Sequence, residues 1–171
     1  DILDMSEIES SEMIFEYVSL NCNQVLKSTY NRLKQRADKK GIELVLELSE
    51  NELVIKTDWM KLEKIVYAIA ENAIKYTMQG KVVLRSFVFS KFAYITITDT
   101  GDGMNQEDIK YLLEPFSQEE QGYTRKYQGA GLGLAIASKL TKMMGGLFEI
   151  VSRKQTGTKV TLIFPVVKIN S

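Results

Sequence analysis

The spacing of apolar and polar residues changes between two periods along this chain of 171 residues. In some segments apolar side chains recur every three or four positions, which predicts amphipathic helices. These segments are residues 21–40, 58–76, 106–113 and 131–144. Elsewhere apolar and polar residues alternate or β-rich residues form short runs, which predicts strands. These segments are residues 14–20, 42–48, 53–55, 82–90, 92–98, 147–152 and 158–166.

Capping and turn residues fix how these elements connect. Asp58 is a good N-cap for the second helix, and Gly41 follows the first helix in the position of a C-cap. We expect three hairpins, with turns at Asn51, Ser90 and Gly157. The strands and helices do not alternate regularly, so a doubly wound parallel sheet is not expected. The predicted fold is α+β, a two-layer α/β sandwich whose mixed, mainly antiparallel sheet carries its helices on one face.

The composition restricts the chemistry that this chain can perform. Hydrophobic residues make up 44% of the chain, and equal numbers of basic and acidic residues leave no net charge. A neutral chain is not built to coat nucleic acid or an anionic membrane. Histidine is absent and Cys22 is the single cysteine, which excludes the usual zinc sites and histidine-dependent nucleophilic triads. A reducing, cytoplasmic setting fits this composition, with no direct membrane contact by this part of the protein.

Two polar side chains share one face of the second helix. Asn72 and Lys75 are three residues apart, so they project in similar directions. An amide oxygen can ligate a hard cation such as Mg²⁺, and a lysine can contact a phosphate as a point charge. Tyr76 can place its ring against a purine. The alternative is an ordinary polar face of an amphipathic helix.

Two glycine-rich segments follow. Asp99 ends a predicted strand and precedes Gly101 and Gly103, so its carboxylate can accept a hydrogen bond from an amine where the backbone turns sharply. Residues 129–134 (GAGLGL) introduce a helix, whose N-terminal amides can hold phosphate oxygens. An Asp-Gly turn and a flexible hinge are the alternatives. The three blocks together indicate a nucleotide pocket.

These blocks resemble those of the catalytic, ATP-binding domain of sensor histidine kinases, a family shared with gyrase-type ATPases and heat-shock chaperones. The resemblance covers nearly the whole chain in five ordered boxes, at residues 61–77, 99–104, 114–118, 129–134 and 156–158. It implies the Bergerat-type sandwich with a flexible ATP lid. It also implies that residues 1–10 end a preceding dimerisation helix and that residues 11–171 form the catalytic domain.

The resemblance assigns roles to residues near the nucleotide. Asn72 would hold Mg²⁺, Lys75 a phosphate and Asp99 the adenine amine, with Tyr76 against the base. Several further residues would shape or close the pocket, and they include an anchor for the lid and an arginine that assists at the phosphates. They are Gly101, Gly103, Phe116, Arg125, Gly129, Gly131, Gly133, Leu134 and Thr158.

Two departures from the family pattern limit what this chain can do. Many members carry a second asparagine four residues before the Mg²⁺ asparagine, where this chain has Ala68. Gyrase-type ATPases carry their water-activating glutamate there, so hydrolysis is not expected to be the main activity. Glu71 is either a replacement base or a surface residue. The phosphate acceptor of the family is a histidine upstream of this domain, so this chain cannot phosphorylate itself.

The resemblance implies transfer of the γ-phosphate of Mg-ATP to a histidine on a dimerisation domain, in two-component signalling. Residues 114–146 look most like hybrid kinases, which carry a receiver domain further on, so that domain is the expected second partner. A membrane anchor elsewhere in the protein stays open. Two alternatives remain: a nucleotide-binding regulatory module without transfer, which Ala68 favours, and a protein-serine kinase of the anti-sigma type.

Overall fold

A computed structural model describes residues 13–114 and 130–168. Its helices are α1 (Cys22–Lys40), α2 (Trp59–Lys75), α3 (Gln106–Leu113) and α4 (Ala130–Met143). Its strands are β1 (Tyr17–Asn21), β2 (Glu43–Glu47), β3 (Val54–Asp58), β4 (Lys81–Phe89), β5 (Phe92–Asp99), β6 (Leu147–Arg153) and β7 (Gly157–Lys168). The predicted elements within these residues are therefore all present, with ends that differ by a few residues.

The strands form one seven-stranded mixed sheet in the order β1-β3-β7-β5-β4-β2, in which β6 also pairs with β7. Only the β2–β4 pair is parallel among the described strands. The long β7 is central, because it pairs with β5 along one edge and with both β6 and β3 along the other. The predicted α+β sandwich with a mainly antiparallel sheet is confirmed.

The expected hairpin between residues 42–48 and 53–55 is wrong. β2 runs parallel to β4 at one edge of the sheet, whereas β3 pairs with β1 and β7. The connection between them is held by the start of α1. The Asn23 Nδ2 donates to the carbonyl oxygens of Ser49 and Asn51 at 3.0 and 3.3 Å. These long-range bonds occupy the polar groups that a tight turn would use, so β2 and β3 do not pair.

Local capping agrees with the sequence at one end of each of the two main helices. The Asp58 side chain accepts from the backbone N–H of Lys61 at 3.0 Å and so caps α2. Gly41 ends α1 in the left-handed conformation, with φ of +79°. The hairpin of β4 and β5 is also confirmed, and its turn places Ser90 at a positive φ.

The core lies between the helices and one face of the sheet. Its largest fully buried side chains come from α1, α2 and the central strands, for example Leu26, Leu33, Leu62, Ile95 and Phe164. Each such side chain contributes about 1.5–3 kcal/mol by leaving water. On the opposite face of the sheet, Phe89, Leu147 and Val151 are exposed within the described part of the chain. No helix within the described residues is long and apolar enough to cross a membrane.

A second, smaller cluster packs α3 against α4. It consists of Met104, Ile109, Leu112 and Leu134, with Tyr76 from the end of α2 partly buried against it. This cluster is separate from the main core. It matters for function because it forms one side of a cleft between α2, α4 and the ends of β5 and β7.

Candidate functional site

The cleft next to this small cluster holds about 670 Å³ of empty space, part of it open to solvent. Its wall is mainly apolar, with a few polar groups that converge on it. Those polar side chains are Asn72, Tyr76, Asp99, Asp102 and Thr158. A largely apolar cleft with few, fixed polar groups is typical of a site for a small organic ligand.

Asp99 is the carboxylate at the end of β5. Its Oδ1 accepts the backbone N–H of Gly101 at 2.9 Å. Burial raises the pKa of Asp99, while the backbone N–H groups of Gly101 and Thr158 lower it and the charge of Asp102 raises it. Burial has the largest effect, so the cleft presents a poorly solvated acceptor whose position is fixed by backbone donors.

Glycines permit the close packing around Asp99. A Cβ on Gly101 would lie 2.6 Å from the Tyr76 carbonyl oxygen and 3.0 Å from the Asp99 Oδ1. Gly103 and Gly157 have positive φ, and a Cβ on either would overlap a backbone carbonyl, of Arg153 and Asp99 respectively. Residues 99–104 and the β6–β7 turn therefore meet backbone to backbone, which a side chain would prevent.

Ser152 ties the same two segments together from within. The Met104 N–H donates to the Ser152 Oγ at 2.7 Å, and this Oγ lies 3.1 Å from the Gly157 carbonyl oxygen and 2.7 Å from the Thr158 Oγ1. Sequence reasoning missed Ser152. A signal existed: β6 alternates, so Ser152 follows Phe148 and Ile150 as a polar residue on the inward face.

Asn72 lies on the opposite side of the cleft from the sheet, on the last turns of α2. α4 approaches it, because a Cβ on Gly133 would lie 3.4 Å from the Asn72 Nδ2. The end of α2 is held from outside. The Lys40 Nζ donates to the carbonyl oxygens of Ile74 and Lys75 at 2.7 and 2.6 Å. This cation complements the negative end of the helix dipole and fixes the turn that follows Asn72.

The other two polar candidates on α2 are not part of the cleft wall. Glu71 pairs with Arg36 of α1, with its Oε2 at 2.9 Å from the Arg36 Nη1. This places the carboxylate on the side of α2 that faces α1. The base role considered for Glu71 stays a prediction, because geometry without a ligand does not decide it. Lys75 is exposed, and its Nζ lies 5.4 Å from the centre of the Tyr76 ring.

The predicted glycine-rich entry to α4 is described only in part. Gly131 lies in the first turn of α4, Gly133 approaches Asn72, and Leu134 is buried in the cleft wall. Phe116, Arg125 and Gly129 lie outside the described residues, as does the expected lid at 115–130 except for Ala130, which begins α4. The structure thus brings together Asn72, Tyr76, Asp99, Leu134 and Thr158, with Gly101, Gly103 and Gly133 at close approaches.

Within the described ranges, no three acidic or thiol side chains cluster as a metal-binding group. Asn72 would supply one amide oxygen, and a hard cation there would need most of its oxygens from elsewhere. Mg²⁺ is commonly held in this way, by one or two protein ligands together with phosphates and water. The donor set fits a cation that arrives with a phosphorylated ligand.

Known proteins share this fold and this sequence pattern. Residues 57–168 match the model of the family described as histidine kinase-, DNA gyrase B-, and HSP90-like ATPase. The chain therefore belongs to this family. It is 33% identical, over 97% of its length, to the non-motile and phage-resistance protein of Caulobacter vibrioides. It is 32% identical, over 97% of its length, to the autoinducer 2 sensor kinase/phosphatase LuxQ of Vibrio parahaemolyticus.

The chain spans about a fifth of the length of these two relatives, 20% of each. Solved structures agree on the fold. Full-length ShkA in complex with AMPPNP superposes with a TM-score of 0.84 at 25% identity, over 99% of this chain and 35% of that one. The histidine kinase AdeS of Acinetobacter baumannii gives 0.78 at 22% identity, over 98% of this chain and 76% of that one. The chain is thus homologous to sensor histidine kinases.

Proposed function

We propose that the cleft binds Mg-ATP and that the domain transfers the γ-phosphate to a histidine outside this chain. The observation that carries this proposal is the partly buried Asp99 carboxylate, held by the Gly101 N–H, in an apolar cleft that the Asn72 amide also lines. A purine amine is the group that such an acceptor suits. The ShkA structure contains AMPPNP, an ATP analogue, which supports the nucleotide class.

Each of the described candidate residues would have one role in binding Mg-ATP. Asp99 accepts from the adenine amine, Tyr76 covers the base and Thr158 contacts its edge. Asn72 supplies an oxygen to Mg²⁺, and the N-terminal amides of α4 lie where phosphate charge is stabilised. Mg²⁺ would neutralise phosphate charge. Lys75, exposed one turn after Asn72, is the described cation that we assign to the phosphates.

In the proposed reaction, no covalent bond to this chain forms or breaks. A histidine imidazole nitrogen on the dimerisation domain attacks the γ-phosphorus, the N–P bond forms, and the bond to the bridging oxygen breaks to release ADP. Catalysis then consists of positioning and of charge stabilisation. The absence of histidine from this chain fits this division of labour, because the acceptor belongs to another domain. We propose that the phosphoryl group passes onward to a receiver domain.

The decisive experiment follows γ-labelled phosphate in the full-length protein. We expect label on a histidine of the dimerisation domain, in an acid-labile linkage. Replacing that histidine by alanine is the control and should abolish labelling without affecting ATP binding to this domain. ATP binding with no labelled histidine would contradict transfer and favour the regulatory module, which Ala68, one turn before Asn72, also suits. Label on serine would favour the serine kinase.

The Mg²⁺ assignment has its own test in this chain. Replacing Asn72 by alanine removes the amide oxygen, so we expect ATP affinity to lose its dependence on Mg²⁺ in calorimetric titrations. Asn105→Ala is the matched control, since the Asn105 side chain caps α3 by accepting from the Asp108 N–H at 2.8 Å. Equal metal dependence in wild type and Asn72→Ala would refute this role.

A further inference from the structure

We propose that Ser152 is a specificity-determining positioning residue, which fixes Thr158 as a hydrogen-bond acceptor and so makes the cleft select a 6-aminopurine over a 6-oxopurine. The inference rests on the proposed nucleotide function and deepens it. Ser152 itself is buried, with 8% of its surface exposed. It does not line the cleft. Its effect on a ligand must therefore pass through the residues that its hydroxyl contacts.

Counting donors and acceptors favours one direction for the Ser152–Thr158 bond, which the distance alone leaves open. The Ser152 Oγ faces the Met104 N–H, the Gly157 carbonyl oxygen and the Thr158 Oγ1, at 2.7, 3.1 and 2.7 Å. An amide N–H can only donate and a carbonyl oxygen can only accept. We assign the single proton of Ser152 to Gly157, because this carbonyl cannot donate whereas the Thr158 hydroxyl can. With that assignment, the remaining lone pair of Ser152 receives the hydroxyl proton of Thr158.

This arrangement satisfies all three contacts, whereas the reverse one leaves the Gly157 carbonyl without the serine proton. Its consequence lies on the cleft side. Because the proton of Thr158 is committed to Ser152, the Thr158 hydroxyl presents only lone pairs to the cleft that it lines. Asp99, paired with Thr158 in register across β5 and β7, is a second acceptor. The end of the cleft therefore offers two neighbouring acceptors.

Two neighbouring acceptors suit an amino group, which carries two protons on one nitrogen. A 6-oxopurine places a carbonyl oxygen at that position, and this oxygen would meet lone pairs without a donor. Such a mismatch leaves buried polar groups unpaired, which is the strongest form of discrimination available to a binding site. If Ser152 is removed, Thr158 regains a free proton. It can then rotate and donate to the carbonyl oxygen.

The test compares ATP with inosine triphosphate, which has a carbonyl in place of the 6-amine and a proton on the neighbouring N1. Calorimetric affinities of both nucleotides are measured for the wild-type chain and for Ser152→Ala. We expect wild type to bind ATP at least about tenfold more tightly than inosine triphosphate. In Ser152→Ala this ratio should fall to about threefold or less, mainly through tighter binding of inosine triphosphate. Ser152→Thr retains the hydroxyl and should restore the ratio.

Ser86→Ala is the matched control. Ser86 is also a buried serine on an inward-facing strand position, and its hydroxyl accepts the Ser49 N–H at 3.0 Å and donates to the Asn23 Oδ1. This network lies away from the cleft. A general loss from deleting a buried hydroxyl would lower the melting temperature of both variants. Only Ser152→Ala should change the nucleotide ratio.

The possible outcomes distinguish a failure of this inference from a failure of the proposed function. An unchanged ratio in a folded Ser152→Ala that still binds ATP refutes the role of Ser152 alone. A wild-type chain that binds neither nucleotide refutes the proposed function and this inference with it. If Ser152→Ala does not fold, Thr158→Val removes the second acceptor directly and should lower the ratio as well. An unchanged ratio in that variant overturns the proposal.

Discussion

The two ends of the cleft are built in different ways. At the Asp99 end, backbone meets backbone: a Cβ on Gly103 or Gly157 would overlap a carbonyl of the neighbouring segment. At the Asn72 end, a helix approaches a side chain, and a Cβ on Gly133 would reach the Asn72 Nδ2 only at an ordinary contact distance of 3.4 Å. One end is fixed by the packing of the fold, and the other by a side chain on a helix.

Glycines that look alike in the sequence therefore differ in how well they should tolerate a larger side chain. The Asp99 end is part of the sheet, because Asp99 is paired with Thr158 and the turn that follows is bonded to the β6–β7 turn through Gln155 and Asp102. A side chain in place of Gly103 or Gly157 must disturb folding before it disturbs binding. At the Asn72 end, a substitution can change what the cleft binds while the fold remains intact.

The largest expected effect is that of Gly157→Ala. Its φ of +129° is costly for alanine, and its Cβ would overlap the Asp99 carbonyl oxygen. We expect the free energy of unfolding to fall by at least about 3 kcal/mol, measured by chemical denaturation.

Gly41→Ala is the matched control, since its φ is also positive but no atom lies within 4 Å of its Cβ. It should cost only about 1–2 kcal/mol. Equal losses in both variants would show that overlap does not constrain this end.

The next effect concerns binding at the same end. Asp99→Asn keeps the shape of the side chain and an oxygen to accept the Gly101 N–H, but it offers an amide N–H where the adenine amine needs an acceptor. Hydrogen bonds to charged groups contribute about 1.5–3 kcal/mol, so ATP affinity should fall at least about tenfold. Calorimetric titration measures this, with Asp38→Asn on the exposed face of α1 as control. An unchanged affinity in Asp99→Asn would refute the adenine assignment.

The sequence predicted features that depend on neighbouring residues and missed features that depend on long-range contacts. The capping of α2 by Asp58 and the end of α1 at Gly41 depend on neighbouring residues, and both are confirmed. The connection that follows β2 is instead held by Asn23, which binds the chain about 28 residues further on. Local turn signals at Asn51 carry no information about that contact. The hairpin prediction therefore failed for a long-range reason.

The site shows the same limit. Motif spacing placed Asn72 and Asp99 among the candidates, and both line the cleft, although their roles remain predictions. Spacing could not tell that Glu71 turns towards Arg36, because adjacent helical residues point to different sides and only packing decides which side is covered. Ser152 was missed because its importance comes from Met104 and Thr158, which reach it from other segments.

A smaller effect is expected at the Asn72 end. Gly133→Ala introduces a methyl group at an ordinary contact distance within α4, where alanine is favoured over glycine by about 1 kcal/mol. We expect the free energy of unfolding to stay the same or to rise by up to this amount. ATP affinity should fall if phosphates lie between α4 and Asn72, and titration measures this. A strong loss of stability would show that this end is packed as tightly as the other.

The smallest effect is a change of stability with pH that belongs to Asp99. Burial raises the pKa of this carboxyl in the folded chain, so the folded state keeps its proton at a pH where the unfolded state has released it. In that window the folded chain binds more protons, and the free energy of unfolding therefore falls as the pH rises through it. Asp99→Asn lacks this contribution.

The stability of Asp99→Asn relative to wild type should therefore increase as the pH rises above about 4, the ordinary pKa of an aspartate. Denaturation of both proteins across this range measures the difference, in which the other carboxylates largely cancel. The expected result means that the buried acceptor destabilises the free domain at neutral pH. A difference independent of pH would show that Asp99 is as well solvated as a surface carboxylate. The charge of Asp99 would then not destabilise the free domain.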